Sequence, residues 1–144
     1  MLKIVRRVSK HLKSDVVQNW HLLEEYCRYL HALLEITTDV RVEVWKRENM
    51  WDSSPVGSCS CKQGCTLISY HIHKRSSLIH MYVVLAHEFI HAEQRDISFR
   101  GDGEADAEKR SLEIATVWVS GKVRPNDPFL MVKSDILLAR EFIV

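Results

Sequence analysis

No apolar run in this sequence approaches the roughly 20 residues of a membrane span, so no membrane-spanning helix is expected. The first fourteen residues are interrupted by charges and lack the apolar stretch of a secretory signal, so a cytoplasmic protein is expected. Charge of one sign is missing too. The formal net charge of +1 excludes a strong overall field, so neither nucleic acid nor a membrane surface is expected as a partner. One local bias stands out: Lys3, Arg6, Arg7, Lys10 and Lys13 make the N-terminus basic, which reads as a solvated helix start. No internal repeat, low-complexity stretch or linker divides the chain. Its 144 residues, 46% of them hydrophobic, suit one domain spanning 1–144 with its own core.

The chain then sorts into elements. Val16, Val17, Trp20, Leu23, Cys27, Leu30 and Leu34 form an apolar stripe, so the spacing predicts a helix over 14–36, capped by Ser14 or Asp15. Residues 40–46 alternate strictly, as a half-buried strand does. Residues 49–65 hold Pro55, Gly57, Gly64 and three cysteines, and read as a loop or a poorly regular hairpin. Residues 66–73 read as a second strand. Ser76 or Ser77 caps a helix over 78–95 that is apolar on most sides and therefore central to the fold. A turn over 96–103 leads into a helix over 103–120 closed by Gly121, and a last helix is expected at 129–142. The fold class predicted is α+β with a small sheet.

The central helix carries His87-Glu88-Phe89-Ile90-His91. Histidines at i and i+4 lie one above the other on a helix face. Both imidazoles can therefore reach one ion at the Zn–N distance of about 2.0–2.1 Å. Glu88 lies about 100° further round, beside that ion and off its axis. There a carboxylate can take a proton from a metal-activated water and pass it to a leaving amine. Two imidazoles and a carboxylate on so apolar a helix are costly without a partner, which favours a metal over core histidines satisfied by hydrogen bonds.

A catalytic zinc usually has a third protein ligand and an open position. No histidine follows His91, and Gln94 and Ile97 stand where one common pattern has Gly and His. The third ligand is therefore expected among the carboxylates of Gly101-Asp102-Gly103-Glu104-Ala105-Asp106-Ala107-Glu108. Glu104 and Glu108 head the more apolar stripe of Ser111, Leu112, Ala115 and Trp118; Asp102 and Asp106 continue into Lys109, Arg110 and Glu113. Glu104 ranks first, followed by Glu108, Asp102 and Asp106. Asp102 also reads as a helix N-cap, and Glu104 as a first-turn acid favoured by the helix dipole. With Glu104 as ligand, Glu108 lies one turn on and is placed to accept from a free ring nitrogen of His87 or His91.

These motifs resemble the zincin metallopeptidases, and within them the gluzincins, in which an HExxH helix is followed by a helix that supplies a glutamate. His87-Glu88-x-x-His91 matches the first element. Glu104-Ala105-x-x-Glu108 is similar to the Glu-Ala-x-x-Asp pattern of the second, with Glu in the final place. The stretch is also similar to small HExxH proteins of bacteria and phages, including the ImmA/IrrE-like group and the minigluzincins. The match covers residues 66–120, and the twelve residues between His91 and Glu104 demand a tight turn. The resemblance implies a zincin-like domain, one Zn2+ per chain and an active-site helix packed under a small sheet. It also implies an edge strand that pairs with extended substrate, for which 66–73 is the natural choice. For the oxyanion it implies a Tyr, His or Arg, with Tyr70, His71, His73 and Tyr82 as candidates.

The expected activity is zinc-dependent hydrolysis of peptide bonds in a peptide or protein substrate, with Glu88 as general base. The alternative is a regulatory or protein-binding module on the same scaffold with a structural metal. Cys59-x-Cys61-x-x-x-Cys65, with Cys27, His71 or His73, offers a weaker second cluster; its spacing is not the paired-cysteine knuckle of zinc ribbons, and free thiols are the readier reading.

Overall fold

The valines of the alternating segment become the centre of a sheet. In β2 (Asp39–Lys46), Val40, Val42 and Val44 are buried on one face. Their neighbours Arg41, Glu43 and Trp45 project from the other. The computed structural model describes residues 1–47 and 55–122; the helix expected at 129–142 lies outside them. In addition to β2, these comprise β1 (Leu2–Arg6), β3 (Gly57–Lys62) and β4 (Cys65–Ile72). The helices are α1 (Asp15–Gln18), α2 (Trp20–Leu33), α3 (Leu78–Asp96) and α4 (Gly103–Lys122). The architecture is mixed, a four-stranded open sheet with four helices among the described residues, in strand order β1-β2-β4-β3. The β1–β2 and β2–β4 pairs are parallel and the β3–β4 pair is antiparallel.

Four sequence expectations change. The basic N-terminus is a strand, not a helix start: β1 pairs in parallel with β2, with Ile4 opposite Val42. Its exposed Lys3, Arg6 and Arg7 suit an edge, where charge deters further pairing. The helix expected over 14–36 breaks at Asn19, whose φ of −119° and ψ of 42° are not helical. The Asn19 side chain donates to the Asp15 carbonyl at 2.8 Å, competing with the backbone for it. The cysteine-rich stretch is a regular hairpin, turned by Gln63 and Gly64 at φ 53° and 79°, both left-handed as a two-residue turn requires. Finally, α4 runs through Gly121 to Lys122.

The expected edge strand is also corrected. β4 is interior, hydrogen-bonded to β2 on one side and β3 on the other, so its backbone is not available to a substrate. Among the described residues, the edge on that side of the sheet belongs to β3. The Ser77 side chain caps α3 by accepting from the His80 amide at 3.1 Å. α3 packs on β3, β4, α2 and α4. Its Leu85, Ala86, Phe89 and Ile90 are wholly buried. Trp118 ties the far end of α4 to α2, its ring 4.5 Å from that of Tyr29 and 5.3 Å from that of Tyr26.

A buried pair at the start of α3 should make the fold acid-sensitive. Burial raises the Tyr70 hydroxyl far above its ordinary range, so it stays protonated and donates to Nδ1 of His80 at 2.9 Å. Burial, reinforced by Arg47, lowers His80 to about 4. Well above pH 6.5 His80 is neutral in both folded and unfolded chains and adds no pH dependence. As pH falls from 6.5 toward 4, the unfolded chain takes up a proton that the folded one refuses, so stability declines. The expected loss at pH 4.5 is about 2.5 kcal/mol. Urea unfolding at pH 7 and pH 4.5 checks this: His80→Gln should remove that part of the acid loss, and an unchanged loss would refute the assignment.

Candidate metal centre

The i, i+4 spacing on α3 sets the His87 and His91 rings side by side, centroids 4.8 Å apart, with their Nε2 atoms 3.2 Å apart. Ligand-capable atoms of His87, Glu88 and His91 all lie within 4.8 Å of one another. His87 is buried and His91 is half-buried. After α3, Ser98 turns the chain at φ 54°, and α4 returns with Glu104 in its first turn. One Glu104 oxygen lies 2.7 Å from His91 Nε2 and the other 3.4 Å from His87 Nε2. The structure thus brings together His87, Glu88, His91 and Glu104.

Two of the other three acids are engaged elsewhere. Asp102 caps α4, accepting from the Ala105 amide at 3.1 Å. Asp106 accepts from Gln94 Nε2 at 2.9 Å and Arg110 at 3.2 Å. Glu108 lies one turn beyond Glu104 and its charge reaches His87. It bonds neither Nδ1: that of His91 meets Gln94 Oε1 at 2.8 Å, and that of His87 is buried without a hydrogen-bond partner. Sequence reasoning missed Gln94. It lies three residues after His91, a spacing that puts it on the same helix face, and that was the available signal.

The electrostatics test whether a cation fits. Gln94 Nε2 donates to the Gly103 carbonyl and to Asp106, so its Oε1 is the atom facing His91. That oxygen calls for a hydrogen on His91 Nδ1, and the neutral ring then presents a lone pair at Nε2. That lone pair meets a Glu104 carboxylate oxygen at 2.7 Å, a hydrogen-bond distance between two acceptors. A proton or a cation held between the two atoms bridges them. Burial, then the His91 charge, lowers His87 and favours its neutral, ligating form. Two imidazoles and a carboxylate are a donor set that zinc takes, and the residues present fit it.

Glu88 differs from Glu104 in kind. It is 3% exposed, and its Oε2 has no hydrogen-bond partner. Burial pushes its carboxyl up to about 7, His91 opposing and Glu104 adding to the rise. β3 passes close above: a Cβ on Gly57 would come within 2.8 Å of Val84 Cγ1 and 3.0 Å of Glu88 Cγ. A cleft of about 540 Å³ opens here, walled by Gly57, Ser58 and Cys59 of β3 and by Glu88, His91 and Glu104.

Comparison with known protein families, curated proteins and solved structures finds no match for this chain.

The oxyanion candidates do not line that cleft. Tyr70 is committed to His80. Tyr82 is packed edge-on against Tyr26, ring centres 4.7 Å apart. His73 Nδ1 accepts from the Arg75 amide at 3.3 Å, and His71 lies on the sheet face opposite Tyr70. The cysteines do not converge either. Cys59 and Cys61 pair with Ile68 and Thr66 on one face, whereas Cys65 pairs with Lys62 on the other. Cys27 is buried in α2, and all four are free thiols. Among the described residues no cysteine cluster with metal-ligand spacing is found. No described helix is long and apolar enough to cross a membrane.

Proposed function

We propose that this chain is a small zinc metallopeptidase of the zincin type, in the gluzincin arrangement, with His87, His91 and Glu104 holding one zinc ion. The observation that carries the reading is the convergence of three groups: His87 Nε2 and His91 Nε2 lie 3.2 Å apart, and the Glu104 carboxylate sets one oxygen 2.7 Å from the His91 atom and its other oxygen 3.4 Å from the His87 atom. Zinc, when bound, supplies Lewis acidity that acidifies water and polarises a carbonyl. Glu88 takes the proton from the attacking water and returns it to the amine that leaves. Its raised pKa suits both halves of that task. The substrate runs in extended form beside β3, whose outer edge is unpaired among the described residues and whose Ser58 and Cys59 wall the cleft. A peptide or protein is therefore the substrate class; neither nucleic acid nor membrane enters the reading.

Metal content, measured by mass spectrometry on purified protein, tests the site. Wild type should carry one zinc per chain. Glu104→Ala should lose most of it, and Asp102→Ala and Glu108→Ala should keep it. No zinc in wild type after reloading would overturn the proposal. Zinc without hydrolysis of any peptide would turn the reading to a protein-binding module with a structural metal.

A further inference from the structure

We infer that Gln94 positions two of the three proposed ligands at once: it sets the tautomer of His91 and tethers the helix start that delivers Glu104. The inference rests on the zinc reading for the purpose of that positioning, and on hydrogen-bond geometry alone for the positioning itself.

An amide has two hydrogens, and Gln94 spends both on the start of α4. Nε2 donates to the Gly103 carbonyl at 2.8 Å and to Asp106 Oδ2 at 2.9 Å. The remaining oxygen has one role, accepting from His91 Nδ1 at 2.8 Å. The other tautomer of His91 would place its hydrogen on Nε2, toward His87 and Glu104, and leave no electron pair there for a metal. The two groups that Gln94 holds on α4, Gly103 and Asp106, flank Glu104 in sequence. One side chain thus fixes both the orientation of an α3 ligand and the approach of the α4 ligand.

The surroundings hold Gln94 to this task. It is buried, at 8% exposure, so a lost bond is not made good by solvent. A Cβ on residue 103 would lie 2.9 Å from Gln94 Oε1, so the amide sits where it does because Gly103 has none. Asp106 is itself held by Arg110 at 3.2 Å. Arg110 grips Glu93, the neighbour of Gln94, through both terminal nitrogens at 2.6 and 3.0 Å. The result is a closed ring of polar contacts between α3 and α4 on one side of the site.

Two variants separate the functions. Gln94→Leu removes both. Gln94→Glu keeps an acceptor for His91 Nδ1 but cannot donate to Gly103 or Asp106. In metal-free, ¹⁵N-histidine-labelled protein, long-range ¹H–¹⁵N spectra should show wild-type His91 protonated at Nδ1. Gln94→Glu should keep that signature and Gln94→Leu should lose it. Zinc affinity, from competition with a chromophoric chelator, should fall 10–100-fold in both. Folding is checked by circular dichroism, and should either variant fail to fold, Gly103→Ala, which crowds the same oxygen, replaces it. An unchanged His91 tautomer in Gln94→Leu, or affinity within twofold of wild type in both variants, would overturn the inference. The tautomer is read without metal. A wild type that takes up no zinc therefore sinks the metal proposal, while His91 still decides the role of Gln94.

Discussion

Glu88→Gln should lower peptide hydrolysis by roughly 10²–10⁴-fold while leaving zinc content at the wild-type level. Glutamine matches glutamate in shape, so the close passage of β3 over Glu88 at Gly57 is preserved. What is lost is the ability to take up a proton. The Glu88 carboxylate is the buried acid at the cleft, and its Oε2 is uncommitted, as a proton carrier requires. The same variant decides between two carboxylates. Glu88 lies close enough to both histidines to be considered a ligand. Glu104, by contrast, places one oxygen on each Nε2. Zinc retained and activity lost assigns Glu104 to the metal and Glu88 to the proton. Zinc lost in Glu88→Gln and kept in Glu104→Ala reverses those roles. Full activity with zinc bound would remove Glu88 from the chemistry altogether.

How much of this was legible in the sequence differs by element, for physical reasons. The His87/His91 pair could be read because helix periodicity alone places i and i+4 together. Glu104 could be ranked above Asp102 and Asp106 because stripes on a helix extrapolate in straight lines. Gln94 could not be assigned a role, since its three partners depend on a turn that brings Gly103 and Asp106 back to it. The N-terminal strand was hidden by its charges. Lys3, Arg6 and Arg7 argue against a strand only if the strand is interior, and β1 is an edge. β4 showed the opposite failure: its alternation marks a strand but says nothing about how many neighbours it has. Its second neighbour is a run of Ser and Cys with weak strand propensity. That run becomes β3 through its pairing with β4 and its packing on α3. The broken helix at Asn19 turns on one side-chain hydrogen bond, which an apolar stripe running past it does not reveal.

Zinc should raise the thermal stability of the wild-type chain, because an ion bound by the folded state alone shifts the unfolding equilibrium toward it. Each buried polar atom without a partner costs about 1–3 kcal/mol. His87 Nδ1 and Glu88 Oε2 are two such atoms on adjacent residues of the most buried helix. At a free zinc concentration about a thousandfold above Kd, binding to the folded state alone contributes about 4 kcal/mol. For a domain of this size that corresponds to an increase in Tm of roughly 10 °C. Excess chelator should reverse it. His87→Leu separates the metal from the fold. It replaces a buried imidazole having an unsatisfied nitrogen with an apolar side chain of similar volume. The metal-free variant should therefore melt at or above the wild-type temperature, and zinc should no longer shift it. Calorimetry with and without zinc reads both quantities. An equal zinc-induced shift in His87→Leu would place the ion elsewhere. A metal-free variant several kilocalories less stable would mean that His87 serves the core rather than a ligand.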